Sequence, residues 1–190
     1  MTAAPKTFRL PRFFREESGV LLAETVIILP LLIWAFLGLY VYWDAYRSVT
    51  TVQKAAYTIS DMITREMNPI SDNYIVGMDR VMEYLVDEDQ DVATRVTSVA
   101  WSQSNQRFEV HWSRSDGNVL QPLTTATLQP LAAQIPAMAE GDFVMIVEVR
   151  VPYEPAFDVG LTSDNVSEFI VTRPRFLRCI VINNGICPLV

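Results

Sequence analysis

Histidine is nearly missing from this 190-residue chain: His111 is the only one, and just two cysteines, Cys179 and Cys187, accompany it. One imidazole with no cysteine cluster beside it makes no recognisable zinc site. It also leaves no nucleophile–base pair of the kind that covalent catalysis needs. The acidic run Asp87-Glu88-Asp89-Gln90-Asp91 lacks the central glycine and distal glutamate of an EF-hand loop, so it reads as a solvated loop. Enzymatic chemistry, a metal and a cofactor therefore find no support. Beyond Trp43, 19 carboxylates stand against 11 basic residues, a balance that disfavours nucleic acid as a partner. Internal repeats and low-complexity segments are absent as well.

What the chain does have is concentrated apolarity. From Val26 to Trp43 run 18 residues without a formal charge. As a helix, the stretch from Val20 to Trp43 spans roughly 36 Å, enough to cross a hydrocarbon core of about 30 Å. The first 19 residues carry Lys6, Arg9, Arg12 and Arg15 against Glu16 and Glu17. Basic flanks are retained in the cytoplasm, so the N-terminus is expected inside and the remainder outside. Tyr40, Tyr42, Trp43 and Tyr46 at the far end have the character of an aromatic belt. No small-x-small cleavage site follows the apolar run, which argues against an ordinary signal peptide.

Within this setting Glu24 stands out. It is a carboxylate five residues after Gly19, at the head of a segment suited to lipid, and an ionisable group there is a functional-site hypothesis by default.

Beyond Trp43 the helical pattern continues. Ala45, Val49, Val52, Ala56, Ile59, Ile63 and Met67 recur every three or four residues, with Arg47, Thr51, Lys54, Thr58, Asp61 and Arg65 opposite. Asn68-Pro69 ends the pattern, giving one helix of about 45 residues, kinked at Pro30, which removes a backbone hydrogen bond. Ser71 or Asp72 caps a second helix with Ile75, Met78, Met82 and Leu85 on one face. Strands are expected over Val92–Trp101 and over Phe108–Trp112, where Phe108, Val110 and Trp112 alternate, with a turn at Asp116-Gly117-Asn118. Residues 123–135 read as a short helix interrupted by Pro130. The clearest strand follows from Phe143 to Val151, broken by Pro152 and Pro155, and a last one covers Glu168–Thr172.

The expected fold is α+β: a long N-terminal helix packed on a small antiparallel sheet. The expected divisions are a basic leader at 1–19, a transmembrane helix at 20–43 and an external domain at 44–190, in which 44–67 continues the helix.

Cys179 and Cys187 fall in the external part, where a disulfide is permitted; the alternative is two small buried hydrophobes. Asn184-Gly185 signals a tight hairpin that would set Ile182 opposite Cys187, so pairing the cysteines requires a wider loop. Arg173, Arg175 and Arg178 around Pro174 either contact another subunit or close ion pairs within the domain.

Arg15-Glu16-Glu17-Ser18-Gly19-Val20-Leu21-Leu22-Ala23-Glu24, followed by Leu29-Pro30-Leu31-Leu32, resembles the N-terminus of the TadE-like pseudopilins of tight-adherence (Tad) pilus systems, and of type IV pilins more broadly. Ala55-Ala56 and Arg173-Pro174-Arg175 are also similar. The likeness covers the first 60 or so residues well and the rest loosely. It implies cleavage by a prepilin peptidase after Gly19, leaving Val20 as the new N-terminus. It also implies that Glu24 meets the freed amine of a neighbouring pilin or pseudopilin subunit, and it sets Pro30 inside the membrane helix as an assembly feature. An uncompensated charge in hydrocarbon costs at least ~2.5–3.5 kcal/mol, so such a pair makes docking in register favourable. Many pilins place an aromatic after this glutamate where Thr25 stands, which points to a minor subunit or assembly factor in a bacterial inner membrane. The implied partners are the peptidase, other subunits, the inner-membrane machinery of a pilus or secretion system, and the bilayer. Two other readings stay open: an uncleaved, signal-anchored scaffold of the same machinery, and a tethered external binding module.

Overall fold

The computed structural model describes residues 18–86, 91–115 and 119–187. Residues 1–17 of the expected leader 1–19, most of the acidic run at 87–91 and the turn at 116–118 lie outside the described residues.

One helix, α1 (Ser18–Thr64), runs for 47 residues and continues through Pro30. α2 (Asp72–Val86) follows, then strands β1 (Ala93–Ser102) and β2 (Arg107–Ser115). A single turn of helix, α3 (Thr125–Leu128), passes into a 3-10 segment at Gln129–Gln134. Pro130 has no N–H to offer an α-helix, which accounts for the change of winding. β3 (Phe143–Tyr153) and β4 (Asp164–Thr172) complete an antiparallel sheet of order β2-β1-β3-β4. The fold is thus α+β, a long N-terminal helix packed against a four-stranded antiparallel sheet, consistent with a pilin-like fold.

The sheet is covered on both faces. Met145, Val147, Val149 and Val151 of β3 meet Val52, Ala56, Ile59 and Ile63 of α1 and Ile75, Met78 and Met82 of α2. Val144 and Ile146 face the other way, onto Val99, Phe108, Leu123, Leu128 and Ile135. Two-sided burial explains why β3 begins as a continuous apolar run before it alternates.

Several expectations shift in detail. The packed face of α1 is Val52, Ala55, Ala56, Ile59 and Ile63, while Val49 and Met67 are exposed and the helix ends at Thr64. Ser60 also points inward, where its hydroxyl is 2.6 Å from that of Thr172 on β4. In α2 the fourth buried residue is Asp79 and Leu85 is exposed. Ser71 is the residue outside that helix, its Oγ accepting the Tyr74 N–H at 3.2 Å.

Pro152 does not end β3. It pairs with Asn165 of β4 beyond the last partner on β1, Arg150, so the missing N–H falls where one side of the strand is free. The alternation of β2 is also broken. Ser98 pairs with Trp112 and Val99 with Val110, leaving His111 as the extra residue of a bulge. Phe108 therefore packs on the α3 side while Trp112 packs on the α1 side, where its indole N–H donates to the Ile180 carbonyl at 2.8 Å.

The C-terminal tail is bound back onto the domain. Ile182 bridges Ile70 in parallel, with the Ile70 N–H donating to Val181 and the Asn183 N–H to Ile70. Cys179 and Cys187 form a disulfide with Cα atoms 6.1 Å apart. The hairpin expected at Asn184-Gly185 is centred one residue earlier. Asn183 takes φ 53° and the Gly185 N–H donates to the Ile182 carbonyl, so Ile182 does not face Cys187. Asn tolerates that left-handed conformation better than most residues, and the shift changes which residues face one another across the turn.

Candidate functional site

The N-terminal half of α1 is largely bare. Leu22, Ile27, Leu31, Trp34, Phe36 and Leu39 are each more than half exposed, and the first buried side chain among those described is Val41. Branched apolar residues on every side suit a helix solvated by lipid, whereas beyond Val41 one face, carrying Val52, Ala55, Ala56, Ile59 and Ile63, is buried on the domain. The helix is long and apolar enough to cross a membrane once. Apolar surface left bare over some 20 residues far exceeds the scattered exposure normal for a soluble domain.

Gly19 and Val20 lie in the first turn of α1 and are exposed. Backbone with no β-carbon at Gly19 and nothing within 4 Å of that position leaves it open to an approaching protein. Glu24, one turn further along, is exposed among Leu22, Val26, Ile27 and Ile28. Pro30 lies six residues beyond Glu24, and because it carries no N–H the Val26 carbonyl has no i+4 donor. These four residues therefore share one bare helical segment.

The three arginines at the other end of the chain lie together with intrachain partners. Arg173 reaches Asp142 at 3.1 Å and Arg175 reaches Asp61 at 2.5 Å. Asp61 also accepts from Arg65 at 2.8 Å, one turn along α1. The Arg175 N–H donates to the Thr64 carbonyl at 2.9 Å, satisfying an end carbonyl of α1. Arg178 donates to the Gly141 carbonyl at 2.7 Å and stacks over Phe143 at 6.0 Å. Gly141 has φ +81°, and a β-carbon there would run into the Arg178 guanidinium. All three arginines thus clasp the tail to the domain.

A second feature, not singled out by the sequence patterns, sits where the bare and packed halves of α1 meet. A cavity of about 370 Å³ is lined by Asp44, Arg47, Ser48 and Thr51 of α1, Leu85 and Val86 of α2, and Tyr153 and Glu154 at the end of β3. The Tyr153 hydroxyl donates to the Asp44 carboxylate at 3.2 Å and to the Val41 carbonyl at 3.4 Å. Burial foremost, then the Asp44 carboxylate, push the Tyr153 phenol above its ordinary pKa, so it remains a donor. Arg47 lies over the Trp43 ring at 5.6 Å. Arg47 and Thr51 were legible as part of a polar helix face, but their convergence with Asp44, Ser48, Tyr153 and Glu154 depends on tertiary packing.

His111, placed by the bulge against Phe143 with ring centroids 5.8 Å apart, is held below its ordinary pKa chiefly by burial. It lies on the tail-bearing side of the sheet, close to the disulfide loop.

No family model matches the chain, and neither a curated protein nor a solved structure matches it.

Proposed function

We propose that this chain is a single-pass inner-membrane pseudopilin, a minor subunit or assembly factor of a Tad-type pilus or related secretion machine. The observation that carries the reading is the division of α1: one continuous helix whose first half is bare and apolar and whose second half is the spine of an α+β domain. Such a helix has lipid or other apolar helices as its natural surroundings, and its domain is held at a fixed distance from them.

In this reading the leader stays in the cytoplasm, the domain is periplasmic, and prepilin peptidase cuts after Gly19. Glu24 then has a single partner of matching chemistry, the Val20 α-amino group of an adjacent subunit. Pairing the two removes the cost that either charge alone carries in hydrocarbon. The domain selects partners, and the bare helix supplies the assembly contact.

The test is the mature N-terminus, read by intact-mass analysis of protein extracted from membranes of peptidase-competent cells. A chain starting at Val20 supports the reading, and Gly19→Leu should then accumulate the uncut form. A native chain intact from Met1 in those cells would sink it in favour of an uncleaved scaffold. Glu24→Gln should still insert but should lose co-purification with partner subunits; normal pilus formation by that variant would refute the charge-pairing role.

A further inference from the structure

The cavity at the junction of the two halves of α1 has a composition that neither the membrane anchor nor the domain core requires. Arg47 forms no ion pair among the described residues, and neither do Asp44 and Glu154. Three charged groups of both signs therefore converge on one space without neutralising one another. Thr51 and Ser48 add hydroxyls, and Leu85 and Val86 form an apolar flank at the C-terminal end of α2. The terminal carbonyls of that helix carry partial negative charge, which favours a cation nearby.

Depth along the helix narrows the ligand. Arg47 is four residues past Trp43, about 6 Å of rise. The headgroup layer beyond each side of the hydrocarbon core is roughly 5–7 Å deep. If the apolar run ends at the edge of the core, the cavity lies among lipid headgroups. A guanidinium held over an indole offers paired N–H donors to a phosphate, while Asp44 and Glu154 offer acceptors to an ammonium a few ångströms away.

We propose that this cavity binds the headgroup of phosphatidylethanolamine, a phosphate ester carrying a primary ammonium, drawn from the external leaflet of the membrane that α1 crosses. The inference rests on the membrane reading above. The phosphate meets Arg47 beside Trp43, the ammonium meets Asp44 and Glu154, and the glycerol end points back along α1 towards its bare apolar segment. The described lining bears two carboxylates and one guanidinium, so an anionic phosphatidylglycerol headgroup is disfavoured by charge. Phosphatidylcholine presents the same charges, but its quaternary ammonium has no N–H to donate to the carboxylates.

The experiment uses the full chain in nanodiscs made of equal parts phosphatidylethanolamine, phosphatidylglycerol and phosphatidylcholine. The protein is released into mild detergent and its retained lipids are counted by native mass spectrometry. One phosphatidylethanolamine should be retained in clear excess over the other two. Arg47→Gln and Glu154→Gln should each reduce that excess about tenfold, the effect of losing one charge-assisted hydrogen bond. Arg107→Gln, on the distant β1–β2 hairpin, should leave it unchanged. Thermal melts of the variants check that the domain remains folded. Protein that inserts yet retains the three lipids equally overturns the proposal and leaves the membrane reading standing. Protein that fails to incorporate into the nanodiscs overturns both. Displacement of the retained lipid by an equal concentration of glycerophosphoethanolamine would overturn the lipid assignment, because a soluble phosphoamine would then be sufficient.

Discussion

Glu148→Gln should destabilise this domain more than its place on a sheet surface would suggest. Arg95 and Glu148 are directly opposite one another on β1 and β3, with side chains only 11% and 13% exposed. The guanidinium donates to both carboxylate oxygens, at 2.7 and 2.6 Å, and to the Gln121 carbonyl at 2.5 Å. Neutralising the carboxylate leaves a largely buried guanidinium without a counter-charge, with one of its two carboxylate acceptors replaced by an amide NH2 that cannot accept. Breaking a buried pair from one side costs about 3–5 kcal/mol, and the residual exposure puts this case near 3. For a domain of this size that corresponds to a fall in Tm of roughly 6–12 °C. The double variant Arg95→Met/Glu148→Leu removes both charges and keeps similar volume, and should return to within about 1–2 kcal/mol of the parent. Thermal and denaturant unfolding of the detergent-solubilised chain, arranged as a double-mutant cycle, measures the coupling. A single variant that loses less than about 1 kcal/mol, or a double variant as unstable as the single, would refute the argument.

Ile59→Ala should cost about 2–5 kcal/mol in the same assay, since Ile59 is fully buried between α1 and β3 and the sheet cannot collapse into the gap. Cys179→Ser/Cys187→Ser opens a small loop and should cost about 2–3 kcal/mol, with faster hydrogen exchange confined to the tail beyond Arg178; unchanged exchange there would contradict the docking described. His111 should make stability fall with acid. Burial lowers its folded pKa beneath the unfolded value of 6.5, so the unfolded chain binds more protons. That contribution is complete above pH 6.5, is lost as pH falls below it, and levels off below the folded pKa. His111→Leu should flatten the Tm profile between pH 7 and 5, and a slope identical to the parent's would exclude His111 as its source.

The helices and the order of strands were legible because each rests on local periodicity. A 3.6-residue repeat carried α1 past Trp43, and Phe143–Val151 declared itself by sheer apolarity. Pairing and register were not legible. Nothing local marks His111 as a bulge, yet that one extra residue moves Trp112 to the opposite face. Pro152 read as a strand breaker because its missing N–H matters only on a side where a neighbour exists, and β1 ends before reaching it. Asp79 broke the expected apolar face of α2, and the one-residue shift of the turn to Asn183 came from the tail pairing with Ile70, a contact distant in sequence. For the candidate site, Gly19, Glu24 and Pro30 were visible because they interrupt a uniform pattern. Arg47 read as one position of a polar helix face, and nothing local joined it to Asp44, α2 and the end of β3 around one cavity.

The continuity of α1 also has a mechanical consequence. At 1.5 Å per residue the helix is a shaft of about 70 Å, joined to the domain along its last 20 or so residues and free before them. A load applied to the domain is carried down the shaft through serial backbone hydrogen bonds, with no loop to absorb it. The one weakened coupling is at Pro30, where the Val26 carbonyl lacks its donor. Bending should therefore concentrate at that turn, letting the domain tilt while Gly19 to Glu24 keeps its orientation.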